Sequence, residues 1–557
     1  MMHFLPRLRQ VPLAAALGWF LAGGLIGIVV APDRWLSLPW LAALVGGALT
    51  YAAITVWADT TARLRLAAMP IVLYAVWSAI VLAVQYRHLG FDEKFAPATL
   101  LGQLSSAPFP ALIPPIIDRN AVATTIEGAL PLALALALRG RGRERFGWIG
   151  CSLVIAFGLF LTASRGAFTA LAIGAILYTL LEWRRRRPHR RVAHGRRLRW
   201  VLLAGGLLLL AGGLLLRMPE STIAASAALE RATDRLVLYR NSFFLALDFA
   251  YTGSGSAASF PLTYSAFQLL IGVPFLGYPH NLLLGIWLAQ GLVGLLGFGA
   301  LLWHAARLIW RGLMAHCDDG AQELRQGAAV GSAMLLIHGI SDAPQYDAVR
   351  FHILLICFAI FGVAIAGARL ADARPLAWIQ PTRQQQLALL VGLLLMVAGN
   401  APSLAAHAAV NASLVADAHA IITRRDSADQ NAPPSAAALA WAEHAARLAP
   451  QDAGVLKRRG LLAYRSGDYT AAIAALEPAF AQRPADEAIR KALGYAYTWN
   501  GQIPEGVVMF AGLERVDEVR QELSDWARYW GRQQRWMLQM RARVTARALA
   551  AHPQQAE

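Results

Sequence analysis

The sequence predicts an all-α protein: a polytopic bundle of about 11 membrane-spanning helices followed by a soluble helical-repeat domain. Three observations carry this. Apolar stretches near the ~20 residues needed to cross a hydrocarbon core succeed one another through the first four hundred residues. Only 15% of the residues are charged and 57% are hydrophobic, with a mean hydropathy of +0.44, whereas a soluble chain carries about a quarter charged residues. After Asn431 a period of 34 residues takes over: Pro450 and Pro484 stand one period apart, as do Gly460 and Gly494.

Spans are expected at 11–31, 36–57, 66–86, 121–138, 147–163, 167–182, 200–216, 283–306, 327–340, 351–368 and 386–406. The first, Val11–Ala31, is too long for a cleavable signal peptide and lacks its small-residue exit, so it reads as a retained anchor. The formal charge of +17 sits mostly in short loops, densest from Arg184 to Arg199. Such loops set orientation and meet anionic lipid on the cytoplasmic side. No aromatic residues interleave those arginines to stack bases, so nucleic acid is not the expected partner. With Arg7 and Arg9 in the cytoplasm, Arg63 and Arg65, Arg139–Arg145, Arg184–Arg199, Arg307 and Arg311, Arg325, and Arg369–Arg383 all fall on the same side. One orientation satisfies every short loop, and an odd span count puts the C-terminal domain across the membrane.

The opposite, outer face receives two long loops, 87–120 and 217–282, and two short ones, Ser164–Gly166 and Ser341–Arg350. Basic residues that persist there against the charge rule are Arg87, Arg119, Arg165, Arg231, Arg235, Arg240 and Arg350. A functional charge near a membrane is usually paired or faces a polar cavity. Arg165 stands out because Ser164-Arg165-Gly166 interrupts an apolar hairpin whose turn needs no guanidinium. A snorkelling side chain on lipid headgroups is the alternative. Cys151 and Cys357 lie in apolar stretches and Cys317 in a polar loop, so no disulfide framework is implied. No spaced Cys/His/Asp/Glu cluster resembles a metal site, and no cofactor is expected.

In the C-terminal part, Gly460, Tyr464, Gly467-Asp468-Tyr469, Ala472, Ala479 and Pro484 are similar to the tetratricopeptide pattern, and Gly494, Tyr497 and Gly501 repeat it. Stacked helix pairs of this kind bury a continuous core and bind peptides or proteins. A capping helix is expected at Gln521–Leu549. The domain reading is a membrane domain at 1–410 with its large loop at 217–282, a linker at 411–435 containing the hinge Asp426–Ser435, and a repeat domain at 436–557.

The outer-face residues resemble a family. Leu161–Ala172, with Ser164-Arg165-Gly166 at its turn, resembles the opening of the conserved region of the O-antigen ligase and polymerase superfamily. Arg235-Leu-Val-Leu-Tyr-Arg240 resembles the start of that family's large loop. Pro279-His280-Asn281-Leu282, followed by Leu288–Gly294, is similar to its end. His338-Gly-Ile-Ser-Asp342 resembles a later His…Asp motif, and Asp118-Arg119-Asn120 also fits. The resemblance covers residues 110–365. It implies a metal-independent glycosyltransferase in the bacterial inner membrane, acting at the periplasmic face on an undecaprenyl-diphosphate-linked glycan. Ligases pass the glycan to lipopolysaccharide core, polymerases to another lipid-linked unit and O-oligosaccharyltransferases to a protein hydroxyl. The ligase type is the first expectation. Members with C-terminal tetratricopeptide repeats occur.

Independent chemistry leads to the same reaction class. A diphosphate leaving group needs its charge neutralised, for which arginine offers a permanent planar fork. Arg165, Arg235 and Arg240 are the candidates; five residues separate the last two, so on a helix they face different ways. His280 is the candidate general base: it precedes Asn281, a plausible N-cap whose helix disfavours imidazolium at its positive end. Arg119, His338 and Asp342 are candidate substrate-binding residues. His338 and Asp342 share a helix face, where a bond locking the helix end is an equally good reading. A transporter would favour ionisable groups at the midplane, whereas these charges gather at one face. A mere scaffold for the repeats would not need so many spans.

Overall fold

Backbone N–H and C=O groups in lipid must be satisfied within their own segment, and the apolar stretches are accordingly helical. The computed structural model describes residues 11–90, 95–111, 118–186, 222–269, 276–315, 321–346, 350–372, 398–423 and 433–551, with Leu387 and Val391; no strand occurs among them. The first helices are α1 (Ala14–Val29), α2 (Arg34–Trp57), α3 (Thr61–Gln85), α4 (Ala96–Ser106), α5 (Arg119–Glu127), α6 (Leu130–Arg139), α7 (Arg143–Thr162) and α8 (Arg165–Arg186). Next come α9 (Thr222–Asp248), α10 (Phe260–Phe267), α11 (Leu282–Met314), α12 (Gln322–Ser341) and α13 (Phe351–Ala371). Among the described residues, seven helical runs are long and apolar enough to cross a membrane: 34–57, 61–89, 119–139, 143–162, 165–184, 282–314 and 352–371. α1 is apolar but shorter, at 16 residues. The expected span at 200–216 and most of that at 386–406 lie outside the described residues.

Small residues set how closely the bundle packs, as is usual between helices in lipid. A Cβ on Gly23 of α1 would come within 2.5 Å of the Gly294 Cα of α11, and one on Gly297 within 2.6 Å of the Phe20 backbone. Gly327 and Gly331 likewise bring α12 against Pro131 and the Gly128 carbonyl. Two segments break. The expected helix 121–138 is two, α5 and α6, because Pro131 at the start of α6 has no N–H for the preceding turn. α11 kinks at Gly291 (φ 64°), where the Leu292 N–H turns to the Ala250 carbonyl. Only glycine suits that position, since a Cβ would meet the Tyr251 carbonyl oxygen at 2.2 Å.

The remaining helices are α14 (Ala401–Thr423), α15 (Ala436–Leu448), α16 (Ala453–Arg465), α17 (Tyr469–Gln482), α18 (Glu487–Asn500), α19 (Ile503–Ala511), α20 (Val516–Arg532) and α21 (Trp536–Ala551). The 34-residue period is visible in the caps: Asp452 and Asp486 each accept the first N–H groups of α16 and α18. Gly460 lets α16 approach Leu476, and Gly494 lets α18 approach Phe510. Two expectations change. α14 fills the first half of the stretch read as a linker, because its Ala406, Ala409, Val410 and Leu414 bury against the repeat helices and α9. Most of the hinge (426–432) lies outside the described residues. The single capping helix is a hairpin, α20 and α21, reversing at Gln533–Arg535 with Gln534 left-handed (φ 55°). The turn allows both helices to cover the Trp499 and Phe510 end of the repeats.

Candidate active site

Five segments distant in sequence meet at one end of the bundle, around Asp342. Asp342 caps the end of α12 and is 2% exposed. Its Oδ1 accepts from the Tyr278 hydroxyl at 2.9 Å and faces His280 Nδ1 at 3.0 Å. Its Oδ2 accepts from Asn120 Nδ2 at 2.5 Å, on the first turn of α5. Arg235 of α9 lies 3.9 Å from Oδ2 and donates to the Ser341 carbonyl at 2.9 Å. Burial alone would raise the Asp342 carboxyl. The hydrogen bond and charge of His280, with the charges of Arg235 and His338, outweigh it and hold the group at about 2.

The His280 ring is fixed from several sides. A carboxylate only accepts, so the Nδ1–H of His280 points to Asp342, and Nε2 is the ring nitrogen left outside that contact. The ring packs on Tyr278 with centroids 4.4 Å apart, and the Tyr239 hydroxyl lies 3.0 Å from the His280 carbonyl and 3.1 Å from that of Ser341. His280 itself is left-handed (φ 53°), an uncommon conformation for a non-glycine residue. Asn281 caps α11 as expected, its Oδ1 accepting from Leu284 N at 3.1 Å, and its amide also donates to the Ile340 carbonyl. Burial, then the negative charge of Asp342, pushes the Tyr278 hydroxyl up, so it stays a donor.

A second buried pair lies beneath. His338 Nδ1 is 2.9 Å from both oxygens of Glu127, the last residue of α5, and both side chains are 1% exposed or less. The Ser164-Arg165-Gly166 turn rests on the other edge of that ring: a Cβ on Gly166 would come within 2.6 Å of His338 Cδ2. Arg165 opens α8 with an exposed side chain.

The structure therefore brings together His280, Asp342 and Arg235, with the Arg165 turn and His338 alongside. Arg240 points elsewhere, as its spacing from Arg235 suggested: it pairs with Glu514 and, at 2.9 Å, with Glu487, both in the repeat region. Arg119 is buried on the first turn of α5, and its neighbour Asn120 is the residue that reaches Asp342. The sequence motifs contain Asn120 and Tyr239 but give neither a role, and Tyr278 directly precedes the Pro279–Leu282 motif. Glu127 did carry a signal, a lone carboxylate within an apolar span.

Residues 150–299 match the family model described as O-antigen ligase, and residues 463–526 match one for a tetratricopeptide repeat. No curated protein matches the chain. The first match contains Arg165, Arg235, Arg240 and His280 and ends before His338 and Asp342. The membrane part is thus similar to the O-antigen ligase family over residues 150–299 and the C-terminal part to tetratricopeptide repeats, which supports the kind of function of a membrane glycan ligase or polymerase.

Proposed function

We propose that the protein transfers a glycan from undecaprenyl diphosphate to an acceptor hydroxyl at the periplasmic face, as an O-antigen ligase without a metal. The observation that carries the reading is the His280–Asp342 contact beside Arg235 and the Arg165 turn. His280 Nε2 takes the proton from the acceptor hydroxyl, whose oxygen bonds to the anomeric carbon of the donor sugar. The bond from that carbon to the diphosphate oxygen breaks, and the lipid diphosphate leaves with the electron pair. Arg165 and Arg235 neutralise the charge that develops on it. Asp342 holds the imidazole orientation and stabilises the imidazolium, the part played by the carboxylate in His–Asp pairs generally. Arg240 reaches the diphosphate only if its carboxylate partners release it. The N-terminus is cytoplasmic in this reading, and the repeats meet a periplasmic protein or acceptor.

The test is transfer from undecaprenyl-diphosphate-linked oligosaccharide by purified protein, with EDTA present. His280→Ala should lose a factor on the order of 10²–10⁴ while still binding the donor. Arg165→Ala should bind the donor more weakly, with partial recovery in Arg165→Lys, which lacks the bidentate fork. Full activity in His280→Ala would remove the base assignment, and abolition by EDTA would remove the arginine mechanism.

A further inference from the structure

Glu127 and His338 take no part in the transfer just described, yet they are the most deeply buried ion pair beneath the site. Both oxygens of Glu127 lie 2.9 Å from His338 Nδ1, and Thr124 Oγ1 is 3.4 Å from the same nitrogen. An apolar pair of similar volume would serve stability as well or better, so the pair needs another reason. The opposite edge of the imidazole supplies one. A Cβ on Gly166 would lie 2.6 Å from His338 Cδ2, 2.7 Å from its Nε2 and 3.0 Å from Ser341 Oγ. The turn that presents Arg165 thus rests directly on this ring, and the next residues of α12, Ser341 and Asp342, hold Arg235 and His280. One acid on α5 fixes one ring on α12, and that ring sets where the start of α8 can sit.

We propose that Glu127 is a positioning residue for glycan transfer: through the His338 ring it sets the height of the Ser164–Gly166 turn, and so the reach of Arg165 toward the donor diphosphate. This rests on the role given to Arg165 above, and the experiment separates the two. The full chain in nanodiscs is titrated with undecaprenyl diphosphate, and transfer is measured in parallel. Arg165→Ala comes first; undiminished binding there overturns its role and this proposal with it. If Arg165→Ala weakens binding, Glu127→Ala should raise the dissociation constant roughly tenfold, the scale of one lost charge-assisted hydrogen bond, with the acceptor KM unchanged. Glu127→Gln, which keeps an oxygen for the Nδ1–H, should recover most of the loss. The double variant Glu127→Ala/Arg165→Ala should bind no worse than Arg165→Ala alone, because both changes act through one guanidinium. Additive losses, or a Gln variant as poor as Ala, would overturn the positioning role while leaving Arg165 in place. Should Glu127→Ala fail to insert, Gly166→Ala decides: it pushes the turn off the ring, and wild-type donor binding in that variant would also overturn the proposal.

Discussion

Asp342 accepts from Tyr278, His280 and Asn120 at once, which accounts for nearly all the lone pairs a carboxylate offers. With its carboxyl held at about 2, it stays ionised wherever glycan transfer could run, and only acid below that range would remove it. Its replacement is therefore the cleanest probe of the His–Asp reading. Asp342→Asn keeps the size and an acceptor but not the charge that stabilises an imidazolium. Transfer should fall by a factor on the order of 10²–10⁴, with undecaprenyl diphosphate binding unchanged; a turnover number close to wild type would show that His280 needs no anionic partner. Motifs made His280, Asp342, Arg235 and Arg165 legible as candidates in the sequence. Asn120 and Tyr278 were not, because their roles consist of contacts across 222 and 64 residues of chain, and local spacing carries no trace of such pairing.

At the level of elements, periodicity and caps were readable and interruptions were not. Asn281 was legible as an N-cap because capping needs only the residue and the apolar run behind it. The breaks at Pro131 and Gly291 were hidden inside runs apolar enough to span without them. α14 escaped because its buried face is defined by contacts with α9 and the repeats, which local periodicity does not reveal. That helix carries a pH-sensitive contact. His407 Nδ1 donates to the Asp248 carbonyl at 3.0 Å, and its Nε2 lies 3.6 Å from Asp452. Burial pushes the His407 pKa down, but the Asp452 carboxylate outweighs it and the net shift is upward. A raised folded value means that the contact contributes fully below the unfolded pKa of about 6.5 and fades as pH rises through the folded one. Thermal melts of the purified protein from pH 6 to 9 should show stability falling with pH in the wild type, and a flatter profile in His407→Gln. Equal slopes in the two proteins would place the pH dependence elsewhere.

The whole molecule joins its two parts through charge taken out of water. Asp248, at the end of α9, is fully buried; Lys457 Nζ donates to it at 2.8 Å and to Asp486 at 2.9 Å, and Arg483 donates at 2.6 Å. Eight residues earlier on α9, Arg240 is held by Glu487 and Glu514. The helix that carries Arg235 and Tyr239 to the site is thus gripped at two points by the repeats. Leu245, Phe249 and Phe267 share a core with Leu476 and Ile489. Removing one partner from a buried ion pair costs about 3–5 kcal/mol, so Lys457→Met should lower the melting temperature far more than a change at the half-exposed Arg459, and Arg483 alone should not compensate. Deleting residues 433–557 removes every one of these partners and bares the apolar face of α9. A module that merely recruits acceptors could be removed at the cost of a poorer acceptor KM. A module that holds α9 in place could not, so the truncated chain should insert into the membrane yet lose transfer from the lipid-linked donor altogether. Undiminished donor turnover in an inserted truncation would reduce the repeats to recruitment.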